Sequence, residues 1–282
     1  MYALFDIGGT KTRIAVSNDH ESIEEVSAYS TPRSYTEGVA NLVEALKQAS
    51  GGKKFTACVG GIRGPLDAER SGIVYDNVLT DWQHKSLSYD LGSALDVSVH
   101  FENDTALAGL GETHYGAGIG ADIVAYHTVS TGVGGVRIDH GSIDAYSRGF
   151  EPGAQTIDID GTSCPDCEDG DLEDHISGSA VRRRFHKEAY EIPQTDPVWD
   201  DLARVLAHGL RNTIAYWSPD VIVLGGSMIV GDPRIRIIDV ERHLRRIVGP
   251  KLGCPPVKAA ALGDLGGIWG ALAYLKQKEG SN

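Results

Sequence analysis

The alternation of short strand-like segments with amphipathic helical segments predicts an α/β protein. Two further observations agree with this fold class. Glycine accounts for 35 of the 282 residues, which is roughly fifteen more than average usage gives, and glycine pairs follow several of the strand-like segments. The hydrophobic fraction of 41% is that of a globular protein with a sizeable core. Disordered and collagen-like classes are therefore excluded.

Seven segments have the β-branched and aromatic composition of strands. In chain order they read YALFDI, RIAVS, FTACVG, VSVHF, DIVAYHTVS, GVRID and VIVLGG. Apolar residues recur at helical spacing over 36–49 and over 197–217, which predicts two helices that cover a sheet. A third helix is predicted over 266–278, where Ile268, Leu272 and Leu275 fall on one apolar stripe.

Charge and composition exclude several kinds of partner. The net charge of −13 argues against nucleic acid, because proteins that bind a polyanion present lysine and arginine to it. No apolar run approaches the roughly 18 to 20 residues that cross a bilayer, so no membrane partner is expected. The four cysteines, Cys58, Cys164, Cys167 and Cys254, are too few and too scattered for a disulfide framework. We therefore expect a cytoplasmic protein.

A glycine turn between the first two strand-like segments is the first candidate site. The usual glycine-rich, nucleophile and zinc-protease signatures are missing, but Asp6 and Lys11 flank the sequence Gly8-Gly9-Thr10. Glycines expose backbone N–H groups to phosphate oxygens, lysine adds positive charge, and an aspartate can reach Mg²⁺ through water. A tight β-hairpin that binds nothing is the alternative at this turn.

Two further glycine turns follow strand-like segments. The second spans Ser130–Gly135 and includes Thr131 and Gly132, and the third is Gly225-Gly226 after VIVL. Three glycine turns at strand ends, one of them flanked by an acid and a base, are hard to explain as three unrelated hairpins. The pattern therefore favours a phosphate-binding site assembled from several strand ends.

Asp104 is the candidate catalytic residue. It ends the segment HFEND, where an apolar strand gives way to a helical pattern. Aspartate at that point is well suited to cap the helix, which is the structural alternative. Phosphoryl transfer to an alcohol, however, needs a positioned carboxylate that accepts the hydroxyl proton. Capping and catalysis are compatible, because a helix N-terminus also keeps the carboxylate ionised.

Taken in order along the chain, these motifs resemble those of the ROK family of sugar kinases and regulators. Asp6–Lys11 is similar to the first phosphate motif of that family, Ser130–Gly135 to its second, and Pro219–Gly226 to its adenosine-side segment. The remaining matches are Gly61–Pro65, Asn77–Trp82, Glu102–Asp104 and Leu262–Ala271. The resemblance runs in family order over residues 4–271.

The resemblance implies a two-lobed, actin-like ATPase fold, the ribonuclease H-like architecture of sugar kinases, Hsp70 and actin. It implies an N-terminal α/β lobe over 1–105, completed by a helix at about 265–282, and a C-terminal α/β lobe over 106–264. Sugar and ATP would bind in the cleft between the lobes, with Mg²⁺ as cofactor. A homodimer is also implied.

The resemblance also assigns roles to individual residues. Asp104 is the general base that takes the proton of a hexose primary hydroxyl, and Asp6 holds Mg²⁺ through water. The implied substrate-binding residues are Gly64, Asn77, Asn103, Asp104, Glu151 and Glu173. The implied ATP-binding residues are Asp6, Gly8, Gly9, Thr10, Lys11, Thr131, Gly132, Gly225 and Gly226.

One segment departs from the family pattern. Ala154 stands where the family has a histidine that contacts sugar and zinc, and Asp171 stands where a third zinc-binding cysteine would fall. Cys164 and Cys167 alone make half of a tetrahedral site, so structural zinc is not expected, with a two-cysteine and carboxylate site as the alternative. Eight acids and no lysine or arginine lie in the same stretch: Asp158, Asp160, Asp166, Glu168, Asp169, Asp171, Glu173 and Asp174.

Three activities stay open from the sequence. A glucose-like hexose is the expected substrate, because Asn103, Asp104, Glu151 and Glu173 are present. The absence of the histidine at Ala154 leaves room beside the sugar, so an N-acylhexosamine or fructose is an alternative. A sugar-sensing protein without catalytic activity is the alternative from another class. A DNA-binding regulator is disfavoured by the acidic charge and by the position of Asp6 close to residue 1.

Overall fold

The computed structural model describes residues 1–161 and 170–280. The chain divides into two compact units. The first contains residues 1–115, the short segment Tyr146–Gly149 and the residues from Asp264 onward, and the second contains Gly116–Ala145 and Phe150–Gly263. Each unit consists of one five-stranded sheet with helices packed on it.

The helices and strands are numbered in chain order. The strands are β1 (Tyr2–Ile7), β2 (Lys11–Ser17), β3 (Glu24–Ser30), β4 (Ala57–Ile62), β5 (Ser98–Asn103), β6 (Ile123–Val129), β7 (Val133–Asp139), β8 (Ser142–Ile143), β9 (Val221–Gly225) and β10 (Val257–Ala259). The helices are α1 (Tyr35–Ala49), α2 (Leu87–Leu95), α3 (Asp104–Tyr115), α4 (Leu172–Ile176), α5 (Gly178–Phe185), α6 (Val198–Trp217), α7 (Ser227–Val230), α8 (Ile237–Ile247) and α9 (Gly266–Gly280).

The sheet of the first unit has the strand order β3-β2-β1-β4-β5. β1 pairs with β2 in antiparallel register and with β4 in parallel register, and β4 and β5 are also parallel. β1 and β4 lie in the middle of the sheet and read as nearly continuous apolar runs, as expected for strands covered on both faces. This topology brings the carboxyl ends of β1, β4 and β5 to one edge of the sheet.

Helices α3 and α9 pack closely in the first unit, and α9 also contacts β1 and β4. Glycine makes the close approach possible, since a Cβ atom on Gly270 would overlap the carbonyl oxygen of Leu107. The three residues predicted to form the apolar stripe of the last helix, Ile268, Leu272 and Leu275, are all buried. The sequence predicted this helix over 266–278, and it runs to Gly280.

The sheet of the second unit has the order β10-β9-β6-β7-β8. Its pairings repeat those of the first unit: β6 is antiparallel to β7 and parallel to β9, and β9 is parallel to β10. Leu202, Leu206 and Leu210 of α6 are buried in its core, as the helical spacing over 197–217 predicted. The two sheets therefore have one topology, with β1 to β5 equivalent to β6 to β10.

All seven predicted strand segments overlap observed strands. β3, β8 and β10 were not predicted. β3 reads EEVSAYS, is exposed along most of its length and pairs with β2 through a register shift. Such an edge strand has no alternation of buried and exposed residues to reveal it. β8 and β10 are two and three residues long, too short for a periodic pattern.

Candidate active site

Asp6 and Asp104 lie at the same edge of the first unit's sheet, at the ends of two strands that are separated by β4. Asp6 lies on β1 opposite Gly61 of β4, and Gly61 in turn lies opposite Glu102 of β5. Asp104 is the first residue of α3, immediately after β5. A Cβ atom on Gly61 would lie 3.1 Å from the Asp104 Cα, so only a residue without a side chain lets β4 pass this close to the helix.

The Asp6 carboxylate is buried among other charged groups. Its pKa is raised to about 7, chiefly by burial and then by the nearby Asp104, while Arg13 acts in the opposite direction. The nearest cation is the Arg13 guanidinium, whose Nη1 lies 3.7 Å from Asp6 Oδ2. The start of α9 is also close, since a Cβ on Gly267 would lie 2.8 Å from the Asp6 Cγ. Among the described residues no group of three or more His, Cys, Asp and Glu side chains is arranged to hold a metal ion.

The Asp104 carboxylate is held at the N-terminus of α3. Burial raises its pKa, while the Thr105 backbone N–H, which donates to Oδ1 at 2.7 Å, and the positive charge of Arg63 lower it. The residue that caps the helix is Asn103, because its Oδ1 accepts from the backbone N–H groups of Thr105 at 3.0 Å and Ala106 at 3.2 Å. The capping alternative considered for Asp104 therefore applies to its neighbour.

Asn103 is committed mainly to the protein. Besides capping α3, it donates from Nδ2 to the carbonyl oxygen of Gly64 at 3.2 Å. Since an amide NH₂ group has two donors, the bond to Gly64 uses one of the two N–H groups of Asn103. Asn77, another residue predicted to contact the sugar, is exposed.

The first glycine turn is braced on its inner side and open on its outer side. Gly8 donates to the Lys11 carbonyl at 3.0 Å and closes the hairpin. The Thr31 hydroxyl donates to the Gly8 carbonyl at 2.8 Å, and Arg33 Nη1 donates to the Gly9 carbonyl at 3.1 Å. Thr10 and Lys11 are exposed. This hairpin is therefore fixed by the groups behind it.

Sequence reasoning missed a buried charged cluster around Glu102. The Glu102 side chain is fully buried, is bonded by Arg70 and by the Tyr146 hydroxyl, and accepts from the Asn103 backbone N–H at 2.9 Å. The Arg70 guanidinium also lies 5.1 Å from the centre of the Tyr146 ring. No local pattern could have revealed these contacts, because Arg70 and Tyr146 are 32 and 44 residues from Glu102.

The second glycine turn, in the second unit, is shorter than predicted. The sequence indicated Ser130–Gly135, but β7 begins at Val133, so the turn consists of Ser130, Thr131 and Gly132. Gly135 lies within β7 opposite His127. It has no side chain because a Cβ there would lie 2.6 Å from Cγ of Pro152.

Glu173, a predicted sugar ligand, contacts this turn. Its Oε2 accepts from the Val133 backbone N–H at 2.7 Å and would lie 2.7 Å from a Cβ on Gly132. Gly225 and Gly226 end β9 beside β6, and a Cβ on Gly226 would overlap the Val129 carbonyl. In the second unit Gly226 thus packs against the end of β6, and Glu173 of α4 packs against Gly132 in the turn that follows β6.

The segment around Ala154 and Asp171 that departs from the family pattern is described only in part. Glu151 and Ala154 are both exposed; Glu151 precedes a short 3₁₀ turn, Pro152–Ala154, and Ala154 is its last residue. Asp171 caps α4, since its Oδ1 accepts from the Asp174 backbone N–H at 2.8 Å. Cys164 and Cys167 lie outside the described residues, so the expectation about zinc stays a prediction. No helix within the described part of the chain is long and apolar enough to span a bilayer.

Comparison with known proteins agrees with this architecture. The ROK family pattern matches residues 2–278. An N-acetyl-D-glucosamine kinase from Escherichia coli is 27% identical over 96% of this chain and 98% of its own length. The ROK hexokinase from Thermus thermophilus is 28% identical with a TM-score of 0.83, covering 99% of both chains. A ROK glucokinase from Streptomyces griseus, solved with glucose and AMPPNP, is 26% identical with a TM-score of 0.79, covering 98% of this chain and 99% of its own.

Two sheets of one topology, each with a glycine hairpin at its parallel strand ends, define the two-lobed fold of the actin-like ATPases. The chain belongs to the ROK family. Its relatives place it among the sugar kinases of that family, as the sequence motifs indicated.

Proposed function

We propose that this protein transfers the γ-phosphoryl group of ATP to the primary hydroxyl of a hexose, with Asp104 as the general base. The observation that carries the proposal is the position of the Asp104 residue at the N-terminus of α3, where it packs against Gly61 of β4, the strand that pairs with the strand of Asp6. A partly buried carboxylate at such a strand end can accept a hydroxyl proton without competition from bulk water.

The reaction breaks one bond and forms one. The hexose hydroxyl oxygen attacks the γ-phosphorus in line, the bond from phosphorus to the bridging oxygen breaks, and ADP leaves with that electron pair. The hydroxyl proton passes to Asp104. Because burial raises the pKa of Asp104, the carboxylate is a stronger base than an exposed aspartate. Turnover is expected to rise with pH as this group ionises.

The first unit offers suitable groups for Mg²⁺ and the triphosphate. Asp6 is a buried carboxylate whose pKa is raised by burial and by its acidic neighbours Asp104 and Asp264, and carboxylate oxygen is the ligand type that Mg²⁺ prefers. We infer that Asp6 holds the cation through water, as the sequence predicted. A bound Mg²⁺ would neutralise charge on the phosphate oxygens. Gly8, Gly9, Thr10 and Lys11 supply a braced turn with an exposed lysine for the phosphates.

A glucose-like hexose is the first substrate to test. We infer that the second amide N–H of Asn103 donates to a sugar hydroxyl, and the sequence assigns Gly64, Asn77, Glu151 and Glu173 to the same role. The exposed Ala154 favours a second candidate, an N-acylhexosamine, because no histidine fills the space beside Gly153. Fructose is a third.

The decisive experiment measures ADP release with ATP and Mg²⁺ across glucose, mannose, fructose, N-acetylglucosamine and N-acetylmannosamine. We expect turnover with at least one of these sugars. Asp104→Asn is expected to lower kcat by about 10² to 10⁴-fold while calorimetry shows the sugar still bound. Near-normal turnover of this variant would remove Asp104 from the mechanism. Sugar binding without ADP release by the unmodified chain would favour a sugar-sensing protein instead.

Four features named from the sequence remain predictions within this proposal. Thr131, Gly132, Gly225 and Gly226 are assigned to the nucleotide. A homodimer is expected and can be measured by light scattering. The lack of a nucleic-acid partner and a cytoplasmic location are expected for an acidic enzyme that consumes ATP.

A further inference from the structure

We propose that Arg63 is a further catalytic residue of this reaction, whose guanidinium group contacts the transferring phosphoryl group beside Asp104. The inference rests on the proposed function and adds a residue to it. Arg63 breaks and forms no bond. Its role is to stabilise the negative charge of the phosphoryl group as it moves from ADP to the sugar oxygen.

Arg63 lies against the first glycine turn, beside Gly9. It follows β4, and its backbone N–H donates to the Ile7 carbonyl at 3.1 Å, which extends the parallel pairing of β1 and β4. The side chain then crosses the turn, because a Cβ on Gly9 would overlap Nη1 of Arg63 and would lie 3.3 Å from its Cδ. The guanidinium group is therefore packed against the backbone of the turn assigned to phosphate.

A buried carboxylate fixes the orientation of Arg63. Its Nε donates to Asp76 Oδ2 at 2.5 Å. The Asp76 side chain is 4% exposed, and its other oxygen accepts from the backbone N–H groups of Val78 at 2.7 Å and Leu79 at 2.6 Å. The bond from Nε leaves the two terminal nitrogens to bind another anion. Arginine binds phosphate with these terminal N–H groups, so the side chain is already oriented for a phosphoryl oxygen.

The two other arginines near the turn are directed to other groups, whereas Lys11 is the exposed lysine assigned to the phosphates. Arg13 lies 2.7 Å from Asp264 and 3.7 Å from Asp6, and Lys11 lies 3.9 Å from Asp264. Arg33 donates from Nη1 to the carbonyl oxygens of Gly9 and Val78, at 3.1 Å each.

Arg63, by contrast, acts on the catalytic base. Its charge lowers the pKa of Asp104, whereas Asp76 raises it. A cation that influences Asp104 and packs on the glycine turn lies where the sugar hydroxyl and the γ-phosphoryl group must meet in the proposed reaction.

The test compares Arg63→Ala with the unmodified chain in sugar-dependent ADP release. We expect kcat to fall by about 10² to 10³-fold, while calorimetry gives a sugar Kd within about twofold of the unmodified value, since the residue acts on the transition state. Guanidinium chloride at concentrations too low to unfold the protein is expected to restore part of the lost kcat. Arg63→Lys, which keeps the charge but loses the planar group, is expected to fall between the two. If the alanine variant does not fold, Arg63→Lys is the variant that tests the proposal.

Arg245→Ala is the matched control, because Arg245 is an exposed arginine of α8 paired with Glu241 at the surface. It is expected to leave kcat unchanged. Turnover by the unmodified chain together with near-normal kcat in Arg63→Ala would overturn the role of Arg63 alone. A loss that guanidinium does not relieve would show a structural role and overturn it as well. No turnover by the unmodified chain with any sugar would overturn the proposed function, and the inference with it.

Discussion

In the first unit the hairpin between β1 and β2 is surrounded by charged side chains, whereas the equivalent hairpin between β6 and β7 is held by backbone contacts and one carboxylate. By strand register, Asp6 corresponds to Thr128, because each is the penultimate residue of its strand and lies opposite a glycine of the parallel neighbour, Gly61 or Gly225. A topology used twice has therefore acquired a buried acid in one copy only. Topology positions the hairpins, and a few side chains decide their chemistry.

The largest effect is expected from removing the buried acid that distinguishes the first hairpin from the second. Asp6→Asn is expected to lower kcat by about 10²-fold or more, because the group proposed to hold Mg²⁺ is lost. Thr128→Val, the matched change in the second unit, is expected to lower it less than about tenfold. Steady-state ADP release measures both. Equal losses would mean that the two hairpins contribute alike.

Asp6→Asn should also stabilise the protein in the absence of Mg²⁺. The folded pKa, about 7, lies above the unfolded value, so ionised Asp6 opposes folding increasingly as pH rises towards 7. The variant is expected to gain about 2 to 4 kcal/mol at pH 8, measured by urea unfolding in a chelator.

The next effect concerns helix packing. Gly270→Ala is expected to lower the free energy of unfolding by about 2 to 4 kcal/mol, because its Cβ would overlap the Leu107 carbonyl and force α3 and α9 apart. Gly249→Ala in the second unit meets no atom within 4 Å and is expected to change stability by less than about 0.5 kcal/mol. Denaturant titration would contradict the close packing of α3 and α9 if both variants were equally stable.

The smallest effect compares the strand interiors. His127 of β6 corresponds to Phe5 of β1. Burial lowers the pKa of His127 to about 4; its Nε2 lies 3.1 Å from the Thr213 hydroxyl, and its ring stacks on Trp217 at 5.4 Å.

Because the folded pKa of His127 lies below the unfolded value, the unfolded state binds a proton at a higher pH than the folded state does. Stability is then lost as pH falls from about 6.5 to 4. His127→Phe, which introduces the residue of the first unit, is expected to reduce this acid loss by about 2 kcal/mol. The comparison is made by unfolding at pH 7 and pH 4.5. The pKa of the exposed His140 is raised by Asp139, so protonation of His140 favours the folded state as pH falls. His140→Gln should therefore leave the acid loss in place.

Much of the fold was predictable because central strands and long amphipathic helices leave periodic patterns. YALFDI matches β1 residue for residue, and the helix predicted over 197–217 is observed at Val198–Trp217. The predicted segment FTACVG lies two residues before the observed strand Ala57–Ile62, since Gly60 and Gly61 are both strand residues of β4, where they pack against Phe5 and Asp104. Nothing in a single sequence distinguishes a glycine that ends a strand from one that lets a neighbour approach.

The candidate site was predictable where its residues are adjacent in sequence. Asp6 with its glycine turn, and Asn103 with Asp104, could be found as motifs. The ion pair of Arg63 with Asp76 and the cluster around Glu102 could not, because their partners meet only after the sheet has formed. The same limit applies to Asn103, whose capping of α3 takes most of the hydrogen-bonding capacity assigned to the sugar.

The place of α9 in the chain has a consequence for biosynthesis. Residues 1–115 are translated before α9, yet the face of α3 that contains Leu107 and Gly111 is covered by α9. Domains usually fold as they emerge, N-terminal end first. Here the first unit must wait, with α3 incompletely covered, until α9 has been translated. The second unit, whose residues lie between Gly116 and Gly263, can mature while its predecessor is still open.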